Sequence, residues 1–308
     1  LQDAREYLTG LIFPKLNGKK VPSFRNLFSI LMRDERSEFT DIIKCHDLTK
    51  KIPDDLSAHL FLLGFSLEAY KNTLETIKEI EAVNTVIAKD KKELTQEGKK
   101  KISDVKAELN AFQVKDGRLV YYLSNIRIES SAVIMKKITP MEKLQPDKKA
   151  SHKEIMDDFI DTILEIHESI MGNKECSFSL QTVDKARKKT PVELTLRIYD
   201  DGSHSVDRTK VFIYDMALLF NQYTRDRHPL FLVHDNIFDV DQDTLVQCLN
   251  YIYKQEEQYQ DFQYILTLNR DKIENEEQRK LIQMDIDEHQ VAVFTKEKKF
   301  LGRNYQEK

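Results

Sequence analysis

An aspartate at the end of a buried strand is the residue of this chain that is best placed to do chemistry. Residues 229–235 run through four apolar residues, Leu230 to Val233, and reach Asp235 after one further residue. A carboxylate at the C-terminal end of a buried parallel strand lies at the sheet edge where such sheets bind ligands. Carboxylate oxygen is also a hard ligand of the kind that Mg²⁺ prefers. The pattern predicts a magnesium ligand at Asp235, although buried strands that end in a structural Asp are common.

Hydroxyl and basic side chains precede this strand, at the start of an apolar helix predicted over residues 211–224. Backbone N–H groups and the helix dipole favour a phosphate at such a helix start. Ser203, Ser205 and Lys210 are therefore candidate phosphate ligands, and a simple serine N-cap is the alternative interpretation. Downstream, Asn269 ends a short strand predicted at 263–269. In a parallel sheet the end of that strand can lie beside the end of the Asp235 strand.

The elements around these residues predict an α/β fold. Alternating apolar and polar residues indicate a hairpin over 176–183 and 191–201. The helix at 211–224 is followed by the strand at 229–235, a helix at 241–259 and the strand at 263–269. An acidic helix and a last strand at 290–295 complete the chain. This alternation of strands and helices is typical of a parallel sheet.

The first half of the chain has a helical pattern instead. Helices are predicted at 1–13, ending before Pro14, and from Ser23 to Met32, and a polar irregular stretch covers 40–55. From Ser57 apolar residues recur in heptad-like steps, with a stutter near Gly98. Further helices are predicted at 118–137 and 151–171, and the last has one apolar face: Ile155, Phe159, Ile163, Ile166 and Ile170. These helices predict an antiparallel coiled-coil arm, with a solvated bundle helix as the alternative.

Composition sets broad limits on the class of protein. The chain has 308 residues, 32% of them charged, and only eight Gly and seven Pro, which favours long surface helices. A net charge of −4 gives no overall attraction to nucleic acid. Cys45, Cys176 and Cys248 form no CxxC pair, so a disulfide framework or zinc site is not expected. No membrane span or signal peptide is visible, which predicts a cytoplasmic protein without a membrane partner.

Four segments together resemble a known family. "SFRNLFSILMRDE", "GSHSVDRTKVFIYDMALL", "FLVHDNIFD" and "QYILTLN" follow the order of SMC/RecF-type ABC ATPase heads. They look closest to the bacterial SMC-like family of unknown function that carries a coiled-coil arm and belongs to ABC three-component systems. The resemblance implies the C-terminal lobe of a P-loop ATPase head, with a parallel sheet and an antiparallel coiled-coil arm. Residues 1–56 would be a remnant of the N-terminal lobe and a linker, 57–172 the arm, and 173–308 the lobe with signature, Walker B and switch regions.

The resemblance assigns roles to single residues. Asp235 matches the Walker B aspartate that binds magnesium. Asn236 stands in the place of the catalytic glutamate, where an amide cannot act as a general base, so Asp239 or Asp241 is the candidate replacement. Asn269 stands where relatives carry a switch histidine, and it can hydrogen-bond but cannot titrate.

The signature region is carried over with less agreement. Ser205 matches the signature serine that faces the γ-phosphate of an opposing head. Val206 and Asp207 stand where glycines usually follow that serine, so the phosphate-contacting part of the signature departs from the family pattern here. With Ser203 and Lys210, Ser205 completes the expected ATP-binding set of this chain.

The phosphate-binding loop itself is missing from the sequence. No GxxxxGK[ST] motif occurs, and Gly18-Lys19-Lys20 lacks the glycine that would begin the cradle. Because the chain starts at Leu1 inside a helical pattern, we expect an N-terminal piece that carries this loop, and we expect the chain alone to be inactive. The full protein is expected to bind ATP and Mg²⁺ between two self-associated heads and to move the arm.

The biological setting follows only from the resemblance. It suggests DNA-related or defence assemblies, with other components of a multi-protein system and DNA as partners. Two alternatives stay open. One is a degenerate scaffold that does not hydrolyse ATP. The other is a metal-dependent nuclease that uses the Asp239–Asp241 DxD pair.

Overall fold

A computed structural model gives the structure of the protein. It describes residues 22–50, 52–65, 67–97, 152–183, 191–198, 202–295 and 297–299, together with Tyr7 and Gly10. The helices predicted at 118–137 and, apart from those two residues, at 1–13 lie outside the described residues.

The described helices and strands alternate in the second half of the chain. The helices are α1 (Phe24–Leu31), α2 (Ser57–Leu62), α3 (Leu67–Glu97), α4 (His152–Met171), α5 (His204–Phe220), α6 (Gln222–Arg225), α7 (Gln242–Gln258), α8 (Glu276–Arg279) and α9 (Ile286–His289). The strands are β1 (Met32–Arg33), β2 (Cys176–Thr182), β3 (Val192–Ile198), β4 (Phe231–Asp235) and β5 (Gln263–Thr267). Short 3₁₀ helices cover Glu35–Ser37 and Arg270–Ile273. The fold is therefore mixed α/β, as the sequence predicts.

A small parallel sheet has the strand order β1-β4-β5. The register pairs Asp235 with Thr267 on β5, and His234 with Arg33 on β1. The predicted parallel pairing of the two later strands is confirmed. Strand β1 is an addition, because two residues directly after a helix leave no alternating pattern to detect.

The predicted hairpin is also confirmed. Strands β2 and β3 pair antiparallel from Cys176↔Ile198 to Thr182↔Val192. Every second side chain of β3 is buried, from Val192 to Ile198. The hairpin packs this face against α5, while α4 contacts β2.

Helix α5 is the centre of the core. All side chains from Val211 to Phe220 are buried. The helix begins at His204, earlier than predicted, because the Ser203 side chain accepts a hydrogen bond from the Val206 N–H and caps it. It ends at Phe220, since Asn221 leaves the helical conformation and caps α6.

Helix α4 follows its sequence pattern closely. The five residues of its predicted apolar face are buried, and so is His167. Gly172 ends the helix with a left-handed φ of 71°, a conformation in which glycine carries no steric penalty. The predicted helix and its stop are thus both confirmed.

The predicted last strand is wrong. Residues 290–295 have no strand partner among the described residues, and Val291 is 99% exposed. The acidic segment before them forms only the short helices α8 and α9. A segment rich in Val and Phe forms a strand only where a neighbouring backbone pairs with its hydrogen-bonding groups, and this segment meets no such backbone among the described residues.

The long helix predicted from Ser57 is divided. Helix α2 ends at Leu62, and Gly64 has a φ of 87° before α3 begins. Leu67 and Tyr70 at the start of α3 join the core, whereas Val83 is 57% exposed further along. The returning part of the predicted coiled-coil arm lies largely outside the described residues, so the arm stays a prediction. Within the described chain, no helix has both the length and the apolar character needed to cross a membrane.

Candidate functional site

The carboxyl edge of the parallel sheet brings the predicted magnesium ligand Asp235 next to Thr267, a polar residue of the neighbouring strand. Asp235 and Thr267 are the last residues of β4 and β5 and lie opposite each other. The Thr267 hydroxyl donates a hydrogen bond of 2.5 Å to Asp235 Oδ1. The Asp235 side chain is exposed, and its Oδ2 has no hydrogen-bond partner in the described part of the chain. One carboxylate oxygen is therefore oriented by the protein and the other faces solvent.

Asn236 fixes the turn that follows Asp235. Its φ of 58° lies in the left-handed region, which asparagine tolerates better than most residues. Its N–H lies 3.1 Å from both the carbonyl and the hydroxyl oxygen of Thr267. Its side-chain amide donates to Glu35 Oε1, and Arg208 donates to its carbonyl at 2.7 Å. Residues from three other segments thus hold the position expected for a catalytic glutamate.

The first turn of α5 lies against this turn. Ser205 Oγ donates a long hydrogen bond of 3.4 Å to Asp241 Oδ2. The Arg208 guanidinium lies 5.1 Å from the centre of the Phe39 ring. Of the predicted phosphate ligands, Ser205 therefore contacts the N-cap residue of α7, while the Ser203 hydroxyl serves as the N-cap of α5.

Lys210 is directed elsewhere. Its Nζ lies 2.8 Å from Asp207, one helical turn earlier. Its side chain lines a cleft between the β2–β3 hairpin and the irregular segment after β1, together with Glu193 and Arg197. The structure therefore separates Lys210 from Asp235, with which the sequence pattern grouped it.

The other predicted site residues have separate partners. Asp239 accepts a hydrogen bond from Lys272 at 3.1 Å, and this contact lowers the pKa of its carboxyl group. Asp241 caps α7 by accepting from the backbone and the hydroxyl of Thr244, at 2.9 and 2.7 Å. Partial burial raises the pKa of the Asp241 carboxyl group, but these hydrogen bonds lower it by more, so the pKa is below its usual value. Asn269 is exposed at the N-cap of Arg270–Ile273, and its side chain makes no capping hydrogen bond.

These residues fit magnesium only as part of a magnesium–nucleotide complex. No group of three His, Cys, Asp or Glu side chains within the described residues is arranged to hold a metal. Mg²⁺ usually takes one or two carboxylates and completes its shell with phosphate oxygens and water. The exposed Asp235 carboxylate suits that role. Asp239 accepts a hydrogen bond from Lys272, whereas Asp241 accepts hydrogen bonds from Thr244. The two carboxylates therefore give the nuclease alternative no support.

A buried charged network lies beneath the sheet edge, and sequence reasoning missed it. Asp215 of α5 forms an ion pair with Arg33 of β1, with Oδ2 2.6 Å from Nε, and it accepts from Arg33 Nη2 at 2.9 Å. His234 of β4 lies 2.9 Å from the same carboxylate and 3.0 Å from the Tyr264 hydroxyl of β5. The side chains of Arg33, Asp215 and His234 are all 0% exposed. The only sequence signal is a single acid, Asp215, inside an otherwise apolar helical run.

The protonation states of this network follow from its contacts. Burial raises the pKa of Asp215, but Arg33 and His234 lower it more strongly, so the carboxylate is ionised. Burial lowers the pKa of His234 and keeps it neutral. Because an ionised carboxylate only accepts hydrogen bonds, His234 donates from Nε2 and accepts from Tyr264 at Nδ1. The three strands and α5 are thus joined at one buried point.

A second buried group, Cys45 beside His59, has the composition of a catalytic pair but not its chemistry. Cys45 Sγ lies 3.9 Å from His59 Nε2, and His59 Nδ1 lies 2.9 Å from the Tyr214 hydroxyl. Burial raises the pKa of the Cys45 thiol to about 12 and lowers that of His59 to about 3. A reactive cysteine needs the thiolate, so these residues belong to the core.

Comparison with known proteins gives one family match. Residues 166–304 match a family described as an uncharacterised protein conserved in bacteria (DUF2326). The match covers less than half of the chain and includes Asp235, Asn236, Ser205 and Asn269. No curated protein matches the chain at a significant level. The expected similarity to a bacterial family of unknown function is confirmed for these residues, and it carries no information about ATP.

Proposed function

We propose that this chain is the C-terminal part of an SMC-like ATPase that binds Mg-ATP between two heads and moves a coiled-coil arm. The main support is the position of Asp235. Its carboxylate is exposed at the carboxyl edge of a parallel sheet, oriented by Thr267 and followed by a turn that Asn236 and Arg208 hold in place. That edge is where open parallel sheets bind nucleotides.

In this proposal Asp235 is the protein's ligand for magnesium, and the bound ion neutralises phosphate charge. A preceding lobe supplies the phosphate-binding loop, and a second head supplies Ser205 to the γ-phosphate. ATP stabilises the closed pair of heads because it makes contacts that the open state lacks. Closure reaches the arm through the core, since Leu67 and Tyr70 at the start of α3 are buried in the same core as α5.

The test is Mg-dependent ATP binding by the full-length gene product that contains this chain. An Asp235→Ala variant and the present chain alone are measured beside it, and Asp243→Ala on the exposed face of α7 is the matched control. We expect the full-length protein and the control to bind, and the Asp235 variant and the chain alone not to bind. Binding that is unchanged in Asp235→Ala would refute the assigned role of this carboxylate.

A non-hydrolysing scaffold is the second candidate, and the amide at Asn236 favours it. An asparagine cannot accept the proton of an attacking water, and Asn269 likewise cannot titrate. A scaffold is expected to bind no ATP in the same assay. A full-length protein that ignores ATP and magnesium would therefore replace the ATPase proposal with this one.

A further inference from the structure

Glu35 is a carboxylate at the proposed site that lies far from the other site residues in sequence. Strand β1 runs parallel to β4, and Arg33 pairs with His234. Glu35 stands two residues after Arg33, as Asn236 stands two after His234. The chain therefore leaves both strands at the same sheet edge, and Glu35 arrives opposite Asn236.

The contacts of Glu35 hold it at this position. Its backbone begins the 3₁₀ helix Glu35–Ser37, which Asp34 caps, and its carbonyl accepts from the Glu38 N–H at 3.0 Å. Its Oε1 accepts a hydrogen bond from the Asn236 side-chain amide. Within the described residues the side chain has no other partner and no cation beside it, and it is exposed. One carboxylate oxygen is thus oriented and the other is open to water.

The other nearby carboxylates are less suited to accept a proton. Asp239 is paired with the ammonium group of Lys272, and Asp241 holds the N-terminus of α7. Both contacts lower the pKa of the carboxyl group, which weakens it as a base. Asp235 is assigned to magnesium. Glu35 is the carboxylate that remains, and it touches the residue that replaces the usual glutamate.

We propose that Glu35 is the general base for ATP hydrolysis at this site and that Asn236 orients it. This inference rests on the proposed ATPase function. The Glu35 carboxylate accepts a proton from a water molecule while the water oxygen forms a bond to the γ-phosphorus. The bond from that phosphorus to the β,γ-bridging oxygen breaks, ADP leaves with the electron pair, and inorganic phosphate is formed. Asn236 donates to Oε1 and leaves Oε2 free for the water.

The test compares Glu35→Gln with Glu38→Gln in the full-length gene product. Both positions are exposed glutamates of the same loop, but Glu38 has no contact with Asn236. We expect Glu35→Gln to lower ATP turnover by roughly 10²–10⁴-fold, the usual contribution of general base catalysis, and to keep Mg-ATP affinity within about threefold. Glu38→Gln should match the unaltered protein.

The outcomes separate this inference from the proposed function. If the protein binds and hydrolyses ATP and Glu35→Gln turns over normally, the role of Glu35 is refuted and the ATPase proposal stands. If the protein binds ATP without turnover, the role of Glu35 is also refuted. If it binds no ATP, the proposed function fails and the role of Glu35 fails with it. Loss of turnover with retained binding, in Glu35→Gln alone, supports both.

Discussion

Replacing Asp215 by asparagine is the sharpest test of how this fold is held together. The substitution keeps the size and shape of the side chain and removes its charge. Arg33 and Asp215 are both fully buried, with contacts of 2.6 and 2.9 Å. After the substitution the Arg33 guanidinium has no counter-charge, and no water can replace it without opening the core.

The expected cost follows from this burial. Breaking a buried ion pair by removing one partner costs about 3–5 kcal/mol, because the remaining charge stays uncompensated. Whole domains are stable by only about 5–15 kcal/mol. Asp215→Asn should therefore remove a large part of the free energy of unfolding. The hydrogen bond from Arg33 to the Ile42 carbonyl, at 2.7 Å, does not offset the loss, because it is already present in the unaltered protein.

The assay is equilibrium unfolding in urea at pH 7.5, followed by circular dichroism. The control is Asp261→Asn, which removes the partner of Arg225 in an ion pair where the Asp261 side chain is 67% exposed. Surface pairs of this kind contribute about 0–1 kcal/mol. Both ion pairs join an arginine to an aspartate, so the two variants differ in the burial of the pair and not in its type.

A double replacement checks the cause. Arg33→Met with Asp215→Asn removes both charges and keeps an acceptor for the buried His234 N–H, so it should recover much of the lost stability. The reasoning is refuted if Asp215→Asn costs less than about 1 kcal/mol, the range of a surface pair. It is also refuted if the double replacement is no more stable than the single one.

Three further perturbations test other parts of the structure. Burial lowers the pKa of His59 and His228 from 6.5 to about 3, so only the unfolded chain takes up their protons between these values. As the pH drops below 6.5, each of these two histidines should lower the free energy of unfolding by about 1.4 kcal/mol per pH unit. A urea midpoint that is equal at pH 7.5 and 5.5 would contradict this. Gly172→Ala should destabilise α4 by about 1–2 kcal/mol because of its left-handed φ, and in thermal melts Gly172→Asn should lose less. Thr267→Val removes the hydroxyl that orients Asp235 and should weaken Mg-ATP binding about 10–100-fold, whereas Thr267→Ser should bind normally in a titration.

The elements predicted correctly are those whose signal is local and repeated. The apolar face of α4 recurs with helical spacing over twenty residues, and the structure buries all of it. The β2–β3 hairpin alternates over both strands and is also found. Each pattern is specified by neighbouring residues, so a single sequence contains enough information to predict it.

The elements that were missed depend on distant parts of the chain. Strand β1 has two residues and exists only because β4 lies beside it. The segment 290–295 is rich in Val and Phe, residues that are common in strands, yet it meets no partner strand in the described chain. Strand formation needs an adjacent backbone, and the sequence pattern alone does not supply its location.

The candidate site divides in the same way. The place of Asp235 at a strand end could be predicted, because an apolar run and the acid that ends it are adjacent in sequence. Glu35 could not, since 201 residues separate it from Asn236. Arg33 and Asp215 are separated by 182 residues, and an arginine at the end of a helical pattern reads as a surface residue.

The buried network and the exposed site lie on opposite faces of the sheet, at the ends of the same strands. His234 and Asp235 are successive residues of β4, and successive side chains of a strand point to opposite faces. His234 is fixed below the sheet by Asp215 and Tyr264, so Asp235 is presented above it from an anchored backbone. Arg33 anchors β1 just before Glu35 in the same way. A binding or catalytic group must be held to within about 0.5 Å, and a buried ion pair resists displacement because separating its charges is costly. The buried charges beneath the sheet therefore position Asp235, which we propose binds magnesium, and Glu35, which we propose accepts a proton from water.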